Sequence, residues 1–100
     1  MKESEIKMMA SRCEEVSQVL KSLSHPVRLK VLCALIDREK TVSELVEFGG
    51  ISQSAMSQFL IRLRSEGVLS SRKEGTSVYY TLADPRLKKL IHSIKEVFCG

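Results

Sequence analysis

The sequence predicts a mainly α-helical chain carrying one β-hairpin, a single domain over residues 1–100 in the order four helices, hairpin, closing helix. Three observations carry this. Apolar residues recur at intervals of three and four along most of the chain. Between residues 68 and 82 that period changes to two around the turn signal Glu74-Gly75. Residues that start helices (Pro26, Thr41, Ser52, and Asp84 followed by Pro85) divide the helical stretches from one another.

The first stretch carries Ile6, Met9, Cys13, Val16, Leu20 and Leu23. Their spacing of three and four is a heptad seam, the pattern of a helix laid along another helix. "SHP" then breaks the chain, and Pro26 suits the first position of a second helix. Leu29, Leu32, Cys33 and Ile36 give that helix, expected over Val27–Asp37, one apolar face. "TVSE" is a capping box in which the Thr41 hydroxyl and the Glu44 carboxylate satisfy each other's backbone N–H groups. The third helix runs to about Phe48, and Gly49-Gly50 supplies a left-handed stop.

Ser52 caps the fourth helix, "SQSAMSQFLIRLRSEG", closed by Gly67. Ala55, Met56, Phe59, Leu60 and Leu63 read as its buried stripe, leaving polar and basic residues on the rest. Val78, Tyr80 and Leu82 alternate in a two-stranded hairpin whose near limb carries Arg72 and Lys73. In the last helix Leu87, Leu90, Ile91, Ile94, Val97 and Phe98 form a stripe that ends beside Cys99. A 100-residue chain buries a limited share of its surface. Two strongly apolar terminal helices therefore point to a homodimer.

The net charge is +4 and the pI about 9.1, a balance that suits a polyanionic partner. No run approaches the length of a membrane span, and "MKESEIKMMA" has no long apolar core. The expectation is a cytoplasmic chain with no membrane partner. Three cysteines without an export signal read as reduced thiols, metal ligands or redox sensors rather than a disulfide framework.

Two short helices joined by a Gly-containing turn, followed directly by a basic hairpin, make a winged helix-turn-helix. Double-stranded DNA is the partner this arrangement fits. Ser52, Gln53, Ser54, Ser57 and Gln58 are the candidates for the major groove, where Gln can pair with adenine and Ser can donate or accept. Arg62, Arg64, Arg72 and Lys73 are the candidates for phosphates. Taken one at a time, each of these side chains is equally compatible with an ordinary solvated surface.

The stretches "LKSLSHPVRLKVLCAL" and "TVSELVEFGGISQSAMSQFLIRLRSEGVLSSRKEGTSVYYTL" resemble the ArsR/SmtB family of bacterial winged-helix repressors, from about Val16 to Cys99. The resemblance implies a homodimer joined through its first and last helices. It also implies an inverted-repeat operator that is released when an inducer binds. Two metal sites of the family lack their ligands here. The helix before the recognition helix reads "ELVEFG", without a thiol. Early in the last helix Asp84 is followed by Arg86 where a His is expected, and His92 stands alone. No metal and no cofactor are therefore expected.

Cys33 in "VLCAL" and Cys99 in "VFCG" resemble the dithiol of the family's persulfide-sensing subgroup, the BigR, SqrR, YgaV and HlyU-like regulators. That resemblance implies Cys33 and Cys99 as the redox-sensing pair and a persulfide or polysulfide as inducer. Without it, Cys33 on an apolar stripe reads equally well as a small buried hydrophobe. Lys95 and His92 lie in line with Cys99 and favour a thiolate, whereas a helix C-terminus disfavours one. Cys13 reads as interface packing, with an approach to Cys99 of the other subunit as the alternative.

Other functions stay open at this point. A general redox switch, a thiophilic As(III) or metal site on Cys13, Cys33 and Cys99, and an HlyU-like anti-repressor belong to the same class. A thiol oxidoreductase is disfavoured by the lack of a C-x-x-C motif, a βαβ pattern or a convergent acid/base set. A winged helix that binds only protein would show no salt-dependent affinity for DNA.

Overall fold

A computed structural model describes all of residues 1–100. The elements are α1 (Glu3–Leu23), α2 (Pro26–Ala34), β1 (Lys40–Thr41), α3 (Val42–Gly49), α4 (Gln53–Ser65), β2 (Leu69–Glu74), β3 (Ser77–Leu82) and α5 (Pro85–Cys99). The helix starts are local events. The His25 Nδ1 accepts from the Val27 N–H at 3.1 Å ahead of Pro26. The Asp84 carboxylate accepts from the Arg86 N–H at 2.9 Å ahead of Pro85. Thr41 and Glu44 close the expected capping box.

Two details depart from the sequence reading. The second helix stops at Ala34, three residues before Asp37. Its last carbonyl, that of Ala34, accepts from the buried Lys40 ammonium, which also pairs with Asp37 at 2.9 Å. Satisfying a C-terminal carbonyl from outside lets the helix end early without leaving an orphan acceptor. Second, the wing is a three-stranded sheet in the order β1-β3-β2, not a two-stranded hairpin. Lys40 pairs with Tyr80 and Thr41 with Tyr79, so the start of α3 is fastened to the wing. The β2–β3 loop is Gly75-Thr76, and Gly75 at φ +60° supplies the backbone of a tight hairpin turn.

Leu32, Leu35, Leu45, Met56, Leu60, Leu63 and Ile91 form one core between α2, α3, α4, the sheet and α5. Each is essentially removed from water, which stabilises the fold by about 1.5–3 kcal/mol per large apolar side chain. Gly49 stands against the Met56 methyl, so α3 and α4 meet there without an intervening side chain. The next residue, Gly50, takes the left-handed conformation (φ +70°) that turns the chain towards α4.

Along α1 only Leu23 is buried. Ile6, Met9, Cys13 and Leu20 of the heptad seam are exposed, as are Val97 and Phe98 at the end of α5. No helix is long and apolar enough to cross a membrane.

Candidate functional site

The helix-turn-helix consists of α3 and α4. Ser52 is its hinge: the hydroxyl accepts from the Ala55 N–H at 3.1 Å and so fixes where α4 begins. That engagement makes Ser52 a cap first. Gln53, Ser54, Gln58, Arg62 and Arg64 are exposed and Ser57 is half-buried. At 100° per residue, Ser54, Gln58 and Arg62 share the face opposite the buried Met56–Leu60–Leu63 stripe, with Ser57 and Arg64 on its flank. Two residues differ from the sequence reading. Ala55 is exposed rather than part of the buried stripe, because it lies at the stripe's edge. Ile61, assigned no role there, is 58% exposed and at 100° per residue lies on the same face, between Ser54 and Ser57. Its spacing of three from Gln58 and seven from Ser54 was the available signal.

The orientation of α4 is set from α2. The Arg28 guanidinium grips the Glu66 carboxylate with two hydrogen bonds, 2.8 and 3.1 Å long, and lies 5.9 Å from the Phe59 ring. Through its hydrogen bond Arg28 holds the Glu66 carboxyl below the usual carboxylate range. A forked pair of this kind fixes direction as well as distance.

The wing cations are not equivalent. Arg72 donates to Glu39 at 2.9 Å and to Glu74 at 2.7 Å and stacks over Tyr79 at 4.5 Å. Those hydrogen bonds keep it firmly protonated, the Glu39 bond first and the Glu74 bond second. A phosphate at Arg72 must compete with two carboxylates. Lys73 is exposed and in no ion pair, and Arg62 and Arg64 likewise keep their charges unpaired.

The three cysteines are free thiols and all are exposed in the single chain. Cys33 is thus not the buried hydrophobe that its stripe allowed. It borders a cavity of about 360 Å³ lined by Lys30, Cys33, Ala34 and Phe48. Partial burial there raises the Cys33 pKa, and the charge of Cys99 raises it further. Cys33 stands one residue before the end of α2 and Cys99 is the last residue of α5. Lys95, expected to favour a thiolate at Cys99, is turned to the Gly100 carbonyl at 3.1 Å and to Glu96 at 3.5 Å. Within one chain no three His, Cys, Asp or Glu side chains gather where they could hold one metal ion. Asp84 caps α5 and pairs with Arg86, and His92 lies 3.9 Å from Glu96.

Residues 25–71, from the cap of α2 into β2, match the model of the bacterial regulatory protein, arsR family. The chain is 37% identical over 92 residues to a biofilm growth-associated repressor of Xylella fastidiosa, covering 92% of this chain and 81% of that protein. It is 40% identical over 81 residues to the transcriptional activator HlyU of Vibrio cholerae, covering 81% and 75%. The crystal structure of the transcriptional repressor BigR from Xylella fastidiosa superposes with a TM-score of 0.85 at 36% identity, over 94% of this chain and 96% of that one. A homodimeric winged helix-turn-helix DNA-binding domain from Mycobacterium bovis gives 0.71 at 30% identity, over 88% and 82%. Capping, turn, outward polar helix, wing and relatives agree, and the chain belongs to the arsR family of bacterial winged helix-turn-helix regulators.

Proposed function

We propose that this chain is a homodimeric transcriptional repressor that senses persulfides and polysulfides through Cys33 and Cys99 and releases an inverted-repeat operator when the two thiols are bridged. The observations that support the reading are two exposed thiols 66 residues apart in sequence, each at or next to the end of a helix, and the charge of Cys99, which raises the Cys33 pKa. The exposed apolar seam of α1 and the Val97–Phe98 end of α5 supply surface for a second copy. In such a dimer the two α4 helices read half-sites about 34 Å apart, one turn of DNA.

Bridging needs a thiolate to displace sulfur from sulfur. A Cys33 persulfide attacked by the Cys99 thiolate gives a disulfide and releases sulfide. When both thiols carry an extra sulfur, closure leaves a trisulfide and again releases sulfide. A bond between α2 and α5 pulls on the helix whose Arg28 orients α4, and on the helix that carries the dimer surface. A misfit of about 2–3 kcal/mol lowers operator affinity roughly 30- to 150-fold.

The test is fluorescence anisotropy of labelled operator DNA with the reduced protein before and after an organic persulfide. Release by the native chain, with retention by both Cys33→Ser and Cys99→Ser, supports the reading. Release by either variant removes the pair as the switch.

A further inference from the structure

The cations of the chain are paired unevenly. Arg12, Arg28, Arg38, Arg72 and Arg86 are all paired with carboxylates. Lys30, Lys88 and Lys89, by contrast, are exposed and enter no ion pair. Lys88 and Lys89 line a groove of about 430 Å³ with His92, Ser93 and Ile36, where α5 passes the end of α2. Lys30 lines the cavity that contains Cys33. Lys30 and Cys33 lie three residues apart on α2, and Ile36, in the turn after the helix, donates its N–H to the Cys33 carbonyl at 3.4 Å, so the groove adjoins the cavity across that turn. The carboxylates of these segments, Asp37 and Glu96, are held by Lys40 at 2.9 Å and Lys95 at 3.5 Å.

We propose that this strip is a docking site for a carboxylate-bearing low-molecular-weight persulfide, with Lys88, Lys89 and Lys30 taking the carboxylates and the outer sulfur lying at Cys33. The inference rests on the sulfur-sensing reading and adds the class of donor. A tripeptide-sized thiol is about 10 Å long when extended, longer than the hydrogen-bonded turn from Cys33 to Ile36, which spans less than about 7 Å. The exposed Phe48 ring walls the cavity, a suitable neighbour for an uncharged, polarisable sulfur chain.

The chemistry closes without another reactant. The Cys33 thiolate attacks the outer sulfur of R–S–SH, the S–S bond breaks, and RS⁻ leaves and takes up a proton. The Cys99 thiolate then attacks the Cys33 sulfur and displaces HS⁻. Two thiols are oxidised to one disulfide, the outer sulfur is reduced to sulfide, and RSH and H₂S are released. Because the surroundings of Cys33 favour its protonated form, the attacking thiolate is scarce. A donor held in place compensates by proximity.

The experiment uses the full chain, reduced, and follows bridging by quenched mass spectrometry with two donors: glutathione persulfide, which bears carboxylates, and cysteamine persulfide, which bears an ammonium. The native protein is compared with a Lys30→Gln/Lys88→Gln/Lys89→Gln variant, whose exposed changes leave the core intact. The expected result is a rate about tenfold lower for the glutathione donor only, a difference that shrinks as salt is added. Equal rates for native and variant, or an equal fall with both donors, overturn the docking site while leaving sulfur sensing standing. Bridging of the native chain by neither donor overturns both. Weaker operator binding by the reduced variant with unchanged donor preference assigns the lysines to phosphates and also overturns the proposal.

Discussion

The Cys33 thiol is raised in pKa first by its own partial burial and then by the charge of Cys99, which reaches it from the end of α5. The raised value sets a sign for stability: the protonated form is favoured in the fold. This contribution is present below the unfolded-chain pKa and is lost as pH rises through the higher folded value.

Replacing Cys99 by Ser removes the second cause and leaves the first. The Cys33 pKa, read from the pH dependence of its alkylation in a Cys13→Ser background, falls in Cys99→Ser but stays above that of an unfolded peptide. An unchanged value in Cys99→Ser contradicts the electrostatic contact.

The α3 cap should be visible in both stability and acid titration. Thr41→Ala removes one side of the capping box and is expected to cost about 1 kcal/mol in urea unfolding. Hydrogen bonds from Arg38 and then from the Thr41 backbone lower the Glu44 carboxyl to about 2. Its stabilising contribution is present above the unfolded-chain value near 4.5 and disappears as pH falls through about 2. Carboxyl chemical shifts that give Glu44 an ordinary midpoint contradict the Arg38 contact.

Lys40 ties three elements: its backbone pairs with β3, and its ammonium holds the α2 carboxyl end at Ala34 and Asp37. Lys40→Ala leaves a buried carbonyl without a donor and is expected to destabilise the chain by about 2 kcal/mol. Chemical denaturation measures this, and a loss below about 0.5 kcal/mol means water replaces the ammonium.

On DNA the wing cations should separate. Lys73→Ala and Arg62→Ala each reduce the slope of log affinity against log salt by roughly 0.9 per lost phosphate contact. Arg72→Ala changes the slope less, because Glu39 and Glu74 already neutralise that guanidinium. Equal slopes for Arg72→Ala and Lys73→Ala would show that DNA draws Arg72 away from its carboxylates.

What the sequence made legible was what neighbouring residues decide. Thr41 with Glu44, Ser52, and Asp84 with Pro85 each fix a helix start within four residues, and all were readable. The two-residue strand β1 was not, because its partners Tyr79 and Tyr80 lie about 40 positions away. Distance likewise hides the capture of Arg72 by Glu39, 33 positions away, whereas the early end of α2 depends on the burial of Lys40, six residues past Ala34, which the fold decides. The exposed polar face of α4 is readable in the sequence as a stripe, whereas Ile61 is not, because an apolar residue on α4 is ordinarily core. The thiol pair came from family resemblance alone: helical periodicity put Cys33 on the apolar face, and only the fold shows that this part of the face is open.

In the proposed switch a donor of sulfane sulfur, and not oxidation in general, joins Cys33 to Cys99. Intact-mass spectrometry with peptide mapping of the reduced chain, treated in parallel with an organic persulfide, hydrogen peroxide and oxidised glutathione, tests this. The expected result is a Cys33–Cys99 link, part of it carrying added sulfur, with the persulfide alone. The same link in the same yield from all three contradicts it and describes a general redox switch, and no link from any of them removes the thiol switch altogether.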